Sequence, residues 1–456
     1  MTELDVLIIG AGTAGQTAAM DLVVEGYRVA VVEKTSTPGG ICALHGCQAK
    51  KWLYEVAELV ARSRHLSSLG VTSPPTVNWT DIVAAKNSFT SEIPQHTIRN
   101  LKGNGIDYLE GDAVFIDPDT VKVGDKVLKP RFIIIATGAK PMALPFEGSN
   151  YLATSNDFLA LTQLPKRIVL IGGGFISFEF AHFAARLGCL PADVHILEVM
   201  DRVLTPFDSD MVDQLLEATR AEGIQVQTGV SIMSIEKDSS GYAITMASGE
   251  RIETDLVIHG AGRIPDIENL NLEAAGIDFN RRGIEVDPQM TTSNQKVYAI
   301  GDCAATVQLA RVADEEAHLA ATNITARDHK EPLEEIDYQA VPAILFTYPQ
   351  LGMVGKTEDE LKREDSNYWK SFDKNLSWPT YRRIGMKHGA YKVLVDDDGK
   401  ILGAHVVGDN TTGLINCFKQ AMLDSMTVGE LYRANIMSPY PSRESDIIYM
   451  LESLLD

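Results

Sequence analysis

The chain has 456 residues, 45% of them hydrophobic and 7% aromatic, with a formal net charge of −21. That balance excludes a general nucleic-acid-binding surface, because neutralising phosphates takes clustered Lys and Arg, and it opposes adhesion to an acidic membrane. No apolar run reaches the roughly 18–20 residues of a spanning helix, and Met1-Thr2-Glu3-Leu4-Asp5 lacks the basic start and apolar core of a signal peptide. A cytoplasmic protein of about three domains is expected.

Asp5-Val6-Leu7-Ile8-Ile9 reads as a buried strand and runs into Gly10-Ala11-Gly12-Thr13-Ala14-Gly15. A helical pattern follows, and then a second strand, Val29-Ala30-Val31-Val32-Glu33. This is a βαβ dinucleotide fingerprint in its full context. Gly10 suits the tight turn, Gly12 leaves the backbone open to a pyrophosphate, and Gly15 and Ala19 allow close helix packing. The helix N-terminus offers N–H groups to the phosphates, and Glu33 can bind ribose hydroxyls.

Cys42 and Cys47 come next, within Gly39-Gly40-Ile41-Cys42-Ala43-Leu44-His45-Gly46-Cys47-Gln48-Ala49-Lys50-Lys51. Structural disulfides are uncommon in the cytosol, so a cysteine pair here points to thiol–disulfide redox chemistry. Cys189, Cys303 and Cys417 are isolated and read as buried small apolar residues. No metal site is expected.

Ser73-Pro74-Pro75 marks a loop. Phe132–Gly138 is a further strand and turn. The fingerprint then recurs. Arg167-Ile168-Val169-Leu170-Ile171 leads into Gly172-Gly173-Gly174-Phe175-Ile176-Ser177, and Val194-His195-Ile196-Leu197 ends in Glu198. Ser177 is small enough to stand for the third glycine. A carboxylate at position 198 accepts from a 2′-hydroxyl and repels a 2′-phosphate, which predicts NADH over NADPH. Arg202 could soften that preference but reads as a solvated surface residue. Two more strand–turn units, Leu256–Arg263 and Val297–Asp302, follow. Because the last comes after the second fingerprint, the first domain is expected to be discontinuous, with the second inserted into it. From about Ile336 the texture changes. Strand-like runs (Ala343–Phe346, Tyr391–Val395, Ile401–Val407) alternate with helical patterns (Leu414–Leu423, Ser445–Leu455), as in a separate α+β domain.

These landmarks resemble the class I pyridine nucleotide-disulfide oxidoreductases, the group of dihydrolipoamide dehydrogenase, glutathione reductase and mercuric reductase. The match rests on Gly10–Gly15 with Glu33, the Cys42…Cys47 segment, Ala136-Thr137-Gly138, Gly172–Glu179, Gly262-Arg263-Ile264-Pro265, Gly301-Asp302 and Phe346–Glu358. It implies an α/β fold with two Rossmann-like domains and a C-terminal α+β dimerisation domain. The expected boundaries are 1–148 and 265–334 for FAD, 149–264 for the nicotinamide nucleotide and 335–456 for the interface. It also implies a homodimer whose active site is shared between subunits.

By the same resemblance, Cys47 is the flavin-proximal cysteine and Cys42 the one that attacks substrate. Lys50 or Lys51 approaches the flavin and pairs with Glu179. Phe175 is the gate for nicotinamide, Asp302 bonds FAD and Ala113 contacts adenine. The remaining cofactor contacts are expected at Ala14, Lys34, Gly40, Thr137, Gly138, Gly172, Gly174, Ile176, Gly262, Leu309 and Ala310.

One part of the pattern is missing. Relatives carry a His-Pro-Thr-x-Ser-Glu segment whose His–Glu dyad serves as acid and base. Here the chain reads Ser438-Pro439-Tyr440-Pro441-Ser442-Arg443-Glu444-Ser445. Tyr440 takes the His position and Ser445 the Glu position, with Glu444 one residue early and about 100° away on a helix. A phenol ordinarily ionises near ~10 and an imidazole near ~6.5, so tyrosine is the poorer base. His45, in the cysteine loop, is a weak substitute and is expected to face solvent. A tyrosine at this place resembles mercuric reductase and soluble transhydrogenase. The first also has a C-terminal cysteine pair, absent from Tyr449–Asp456, and the second lacks the complete Cys42–Cys47 type of pair.

Three readings follow. The first is an FAD-dependent, NADH-oxidising reductase that uses Cys42–Cys47 on a small disulfide, a polysulfide or a thiophilic metal ion. The second is a diaphorase that reduces quinones or metal ions directly from flavin. The third is a non-catalytic FAD- and NADH-binding redox sensor.

Overall fold

The computed structural model describes residues 4–455. Met1–Glu3, part of the N-terminal segment read above, and Asp456 lie outside the described residues. The chain forms two compact units. One takes in residues up to Trp52, Val83–Met142 and Gly262–Asp337. The other takes in Leu53–Ile82, Ala143–Ala261 and residues from Tyr338 onward.

The first unit is built on a parallel sheet in the order Val297–Ala299, Phe132–Ile135, Val6–Ile9, Val29–Glu33, Asp107–Glu110. Val6–Ile9 is central and buried on both faces, which is why it reads as an unbroken apolar run. Asp107–Glu110 is an edge strand with exposed acidic ends and only Tyr108 and Leu109 half-buried, so it has no such run, and the sequence did not signal it. On one face the helix Thr13–Val24 turns Ala14, Gly15, Ala18, Ala19 and Leu22 inward. These meet Ala313, Ala317, Ala320 and Ile324 of the helix Ala310–His329 in one core. On the other face Leu7, Ile9, Ile133 and Ile135 pack with Phe115, Val121 and Val123. Those three belong to a small antiparallel sheet of Ala113–Asp117, Thr120–Val123 and Lys126–Leu128. Each fully buried Ile, Leu or Val contributes about 1.5–3 kcal/mol.

The second unit holds another parallel sheet, in the order Gln225–Gln227, Val194–Leu197, Ile168–Ile171, Leu256–His259. Its helix Phe175–Leu187 is buried from Ser177 to its end. The unit also holds a five-stranded antiparallel sheet in the order Ala343–Leu345, Gln350–Gly355, Ile401–Gly408, Ala390–Val395, Trp369–Lys374. The helix Thr411–Leu423 lays Leu414, Ile415, Phe418 and Met422 into that core.

Three expected strands of this region appear to within a residue or so. The expected helix Ser445–Leu455 does not. It breaks into a 3-10 turn at Glu444–Asp446, a short helix at Ile447–Leu451 and another 3-10 turn at Glu452–Leu454. Cys189 and Cys303 are buried as expected, but Cys417 is only half-buried, at the edge of the C-terminal core.

Candidate active site

The two glycine turns repeat each other bond for bond. In the first unit the N–H of Gly10 donates to Val32 O at 2.8 Å. The N–H of Ala11 donates to Glu33 Oε2 at 3.1 Å. Thr35 fixes the other oxygen of Glu33 through its N–H and hydroxyl, both at 3.0 Å. In the second unit the N–H of Gly172 donates to Leu197 O at 2.8 Å. There Gly173 N–H bonds Glu198 Oε2, and Met200 N–H bonds Oε1 at 2.7 Å. Each carboxylate at a strand end is thereby oriented by the loop it faces, with lone pairs left over for ribose hydroxyls.

The first turn leaves room for a phosphate. Gly10 has φ +116°, and a Cβ there would stand 2.3 Å from Ala136 O, so the turn closes tightly on its neighbour. A Cβ on Gly12 would meet only Gly40 Cα, at 3.7 Å. No side chain caps the helix that starts at Thr13. A pyrophosphate fits this cradle, with the helix dipole and N–H groups as its partners.

The same turn places the cysteines. Gly40 has φ +73° and lies so close to Gly12 that a Cβ would sit 2.6 Å from its Cα. Gly40 opens the short helix Gly40–Leu44, which carries Cys42, and Cys47 opens the helix Cys47–His65. The chain therefore doubles back at His45–Gly46, and the two thiols stand within hydrogen-bond reach as a dithiol. The bond to Cys47, and then burial, push the Cys42 thiol well up; the Thr13 hydroxyl acts the other way, and Asp314 adds to the rise. Cys47 is exposed and Cys42 half-buried. Of the two lysines, Lys51 has its ammonium nitrogen shielded from solvent, and both side chains are half-buried. His45 is half-buried at the end of the Cys42 helix rather than turned to solvent.

Other expected residues of this unit lie on separate loops and element ends. Thr137 and Gly138 follow the strand Phe132–Ile135, and Ala113 is buried at the head of its strand. Asp302 is half-buried. Burial pushes its carboxyl up, and Arg263 partly offsets that rise. Glu316, fully buried, accepts the N–H of Gly301 at 2.6 Å and so fixes the Gly301-Asp302 turn. Leu309 caps the helix Ala310–His329 with no side-chain bond. Lys34 is ion-paired with Asp266. Gly262 is exposed and accepts from Met142 N–H at 3.2 Å.

In the second unit Gly174 caps the helix Phe175–Leu187, again without a side-chain bond. Phe175 is exposed at the first position and Ile176 is half-buried beside it. Glu179 is buried, and its Oε1 accepts the N–H of Phe346 at 3.0 Å. Arg202, read as a solvated surface residue, is a little over one-third exposed but not free. Its guanidinium bonds Asp359 and the carbonyl of Phe207.

The 438–445 segment carries no dyad. Tyr440 is 71% exposed. Ser445 is buried and exchanges bonds with Ser442. Glu444 accepts from Asn410 Nδ2 at 2.7 Å. Thr13, Arg263 and Glu316 are site neighbours to which the sequence assigned no role. Thr13 stands inside the fingerprint, whose signature is its glycines. Glu316 and Arg263 act through partners distant in sequence.

Comparison with known proteins agrees with this geometry. Residues 4–317 match the family model of pyridine nucleotide-disulphide oxidoreductases, and residues 341–446 match that family's dimerisation domain. Dihydrolipoyl dehydrogenase from Bacillus subtilis (strain 168) is 32% identical over 441 residues, covering 94% of this chain and 92% of that protein. The one from Geobacillus stearothermophilus is 31% identical over 440 residues, covering 94% and 92%. Among solved structures, the HOCl-induced flavoprotein disulfide reductase RclA from Escherichia coli superposes with a TM-score of 0.87 at 25% identity, covering 99% of this chain and 100% of that one. RclA has also been solved as a Cu(II) complex.

The chain belongs to the pyridine nucleotide-disulfide oxidoreductases. It is an FAD-dependent enzyme that works with NAD(P)H, and its dimerisation domain suggests a homodimer. Among the described residues no helix is long and apolar enough to cross a membrane.

Proposed function

We propose that this enzyme oxidises NADH and reduces a small disulfide, a polysulfide or a thiophilic metal ion through Cys42 and Cys47. The observation that carries the reading is the dithiol itself, held against the first glycine turn by the contact of Gly40 with Gly12. In this assignment residues 1–148 and 265–334 bind FAD, 149–264 bind the nicotinamide nucleotide and 335–456 form the dimer interface. FAD, when bound, supplies the relay between a two-electron hydride donor and the disulfide.

The protein's own groups then have defined tasks. Gly12, Ala14 and the helix start at Thr13 receive the pyrophosphate, Glu33 the adenosine ribose, and Asp302 a hydroxyl further along. Lys51, the lysine with the shielded ammonium, is assigned to the flavin side. Glu198 takes the ribose of the nicotinamide nucleotide and disfavours a 2′-phosphate, and Phe175 covers the nicotinamide position. Once reduced, Cys42 as thiolate attacks one sulfur of RS–SR′ and expels R′S⁻. Cys47 thiolate then attacks the Cys42 sulfur, releases RS⁻ and recloses the disulfide.

Two features bear on the acceptor. The Cys42 thiol is pushed up by its bond to Cys47 and by burial, and Tyr440 replaces the usual base. A substrate whose leaving group needs no proton suits a site without that base, and a metal ion that displaces the thiol proton as it binds suits a raised thiol. The Cu(II) complex of RclA supports a metal ion among the acceptors. Tyr440 is assigned to the pocket of the partner subunit. Thiol chemistry of this kind fits the reducing cytoplasm, and the net charge of −21 argues against a nucleic-acid partner.

The raised Cys42 thiol also favours a second reading, direct reduction of quinones or metal ions from flavin. Cys42→Ser separates the two. On the first reading the variant keeps flavin reduction by NADH and loses turnover of small disulfides or polysulfides by at least about 100-fold, since the attacking thiolate is gone. Full retention of physiological turnover would establish the second.

A further inference from the structure

The loop after Glu198 is tied at both ends to one residue. Gly173 gives its N–H to Glu198 and accepts the N–H of Leu204 at 2.9 Å. Arg202 lies between these two anchors in the chain, four residues after the carboxylate assigned to the nucleotide ribose. A free guanidinium is a natural partner for a 2′-phosphate.

The guanidinium of Arg202 is engaged elsewhere. Arg202 Nη1 donates to Asp359 Oδ2 at 3.2 Å, and Nη2 donates to the carbonyl of Phe207. Asp359 is itself steadied, since its Oδ1 accepts from Ser209 Oγ at 3.2 Å. It lies in the first turn of the helix Glu358–Arg363, which Thr357 caps in a capping box with Glu360. The preceding residue, Glu358, anchors that turn through the fully buried Lys392, 2.6 Å away, which also pairs with Asp208 at 2.9 Å. Arg202 and Asp359 are each a little over one-third exposed, so the pair is modest in strength and open to competition.

We propose that Asp359 is a positioning residue for nucleotide specificity: it holds Arg202 away from the ribose 2′ position and so sharpens the rejection of a 2′-phosphate. The inference rests on the assignment of Glu198 to the nucleotide ribose. It adds a determinant 157 positions away in sequence, in the dimerisation-domain part of the chain.

The test uses the FAD-loaded enzyme with Asp359→Asn and Asp359→Ala. Binding of 2′,5′-ADP and 5′-ADP is measured by calorimetry, and flavin reduction by NADPH and NADH by stopped flow. Both variants are expected to bind 2′,5′-ADP about fivefold more tightly, the factor that about 1 kcal/mol of released pairing represents. Affinity for 5′-ADP stays level, and the gain with NADPH appears in its half-saturating concentration rather than in the limiting rate. Arg202→Ala, added to Asp359→Ala, abolishes the gain. An unmoved 2′,5′-ADP affinity in both single variants, or a gain that survives loss of Arg202, overturns the proposal. Glu198→Gln tells the two failures apart. If it relaxes the discrimination while the Asp359 variants do nothing, only the role of Asp359 falls. If it alters neither nucleotide, the ribose assignment falls with it.

Discussion

Glycines of one turn have separable tasks. An alanine at Gly10 would drive its Cβ to 2.3 Å from a backbone oxygen at a φ that side chains avoid, so the turn itself would break. An alanine at Gly12 has room in the protein, its only near neighbour being Gly40 Cα at 3.7 Å. The space it fills is the one assigned to the pyrophosphate. Gly12→Ala should therefore leave the unfolding temperature of the FAD-free protein nearly unchanged, yet weaken FAD at least about tenfold, a loss of about 1.4 kcal/mol. Gly10→Ala should lower both. Gel filtration with flavin absorbance, beside melts of the FAD-free forms, checks the contrast; Gly12→Ala retaining FAD at full affinity would contradict the cradle. Such residues were legible because a fingerprint fixes them by spacing, as it fixes Glu33 and Glu198. The partners of Arg202 and Cys42 were not, because Asp359, Thr13 and Asp314 join them only through the fold.

Elements repeat where residues do not. Ala136 N–H donates to Ile9 O at 2.8 Å in one unit, and Gly260 N–H to Ile171 O at 2.7 Å in the other. The weak duplication read from two glycine runs thus extends to the strands beside them. Less visible was how helices are bolted together. Glu222 ends the helix Ser209–Ala221 and meets Arg186 at 3.3 Å and Arg64 at 2.5 Å, from two other helices. Burial alone would raise its carboxyl, but Arg186 above all overrides this and holds it at about 2, against an ordinary 4.5. The folded value is the lower one, so the stability it brings is present above pH 4.5 and drains away as pH falls towards 2. The amount is about 3 kcal/mol. Glu222→Gln should cost about 3 kcal/mol at neutral pH, because Arg186 is left buried without its counter-charge, and should flatten the loss between pH 4.5 and 2. Denaturant unfolding at pH 7 and pH 3 measures both effects. A variant that loses stability between those pH values as steeply as the parent would contradict this role. The broken C-terminal helix shows the opposite limit. Ser445–Leu455 has an apolar helical pattern, but Ser442 and Ser445 bond each other locally and 3-10 turns form at both ends.

At the scale of the whole molecule, family and cofactor class follow from motifs in a fixed order, and sequence alone sufficed to read them. The acceptor did not follow, since it depends on which groups surround Cys42, and the segment that usually identifies it carries Tyr440 in place of histidine. The central claim is that electrons pass through Cys42 and Cys47. Anaerobic titration of the purified holoenzyme with NADH, followed through the flavin spectrum, tests it most directly. Uptake of two electrons should produce a long-wavelength charge-transfer band while the flavin stays oxidised, showing the Cys47 thiolate against it. Direct bleaching of the flavin with no such band would mean that the cysteines are bypassed.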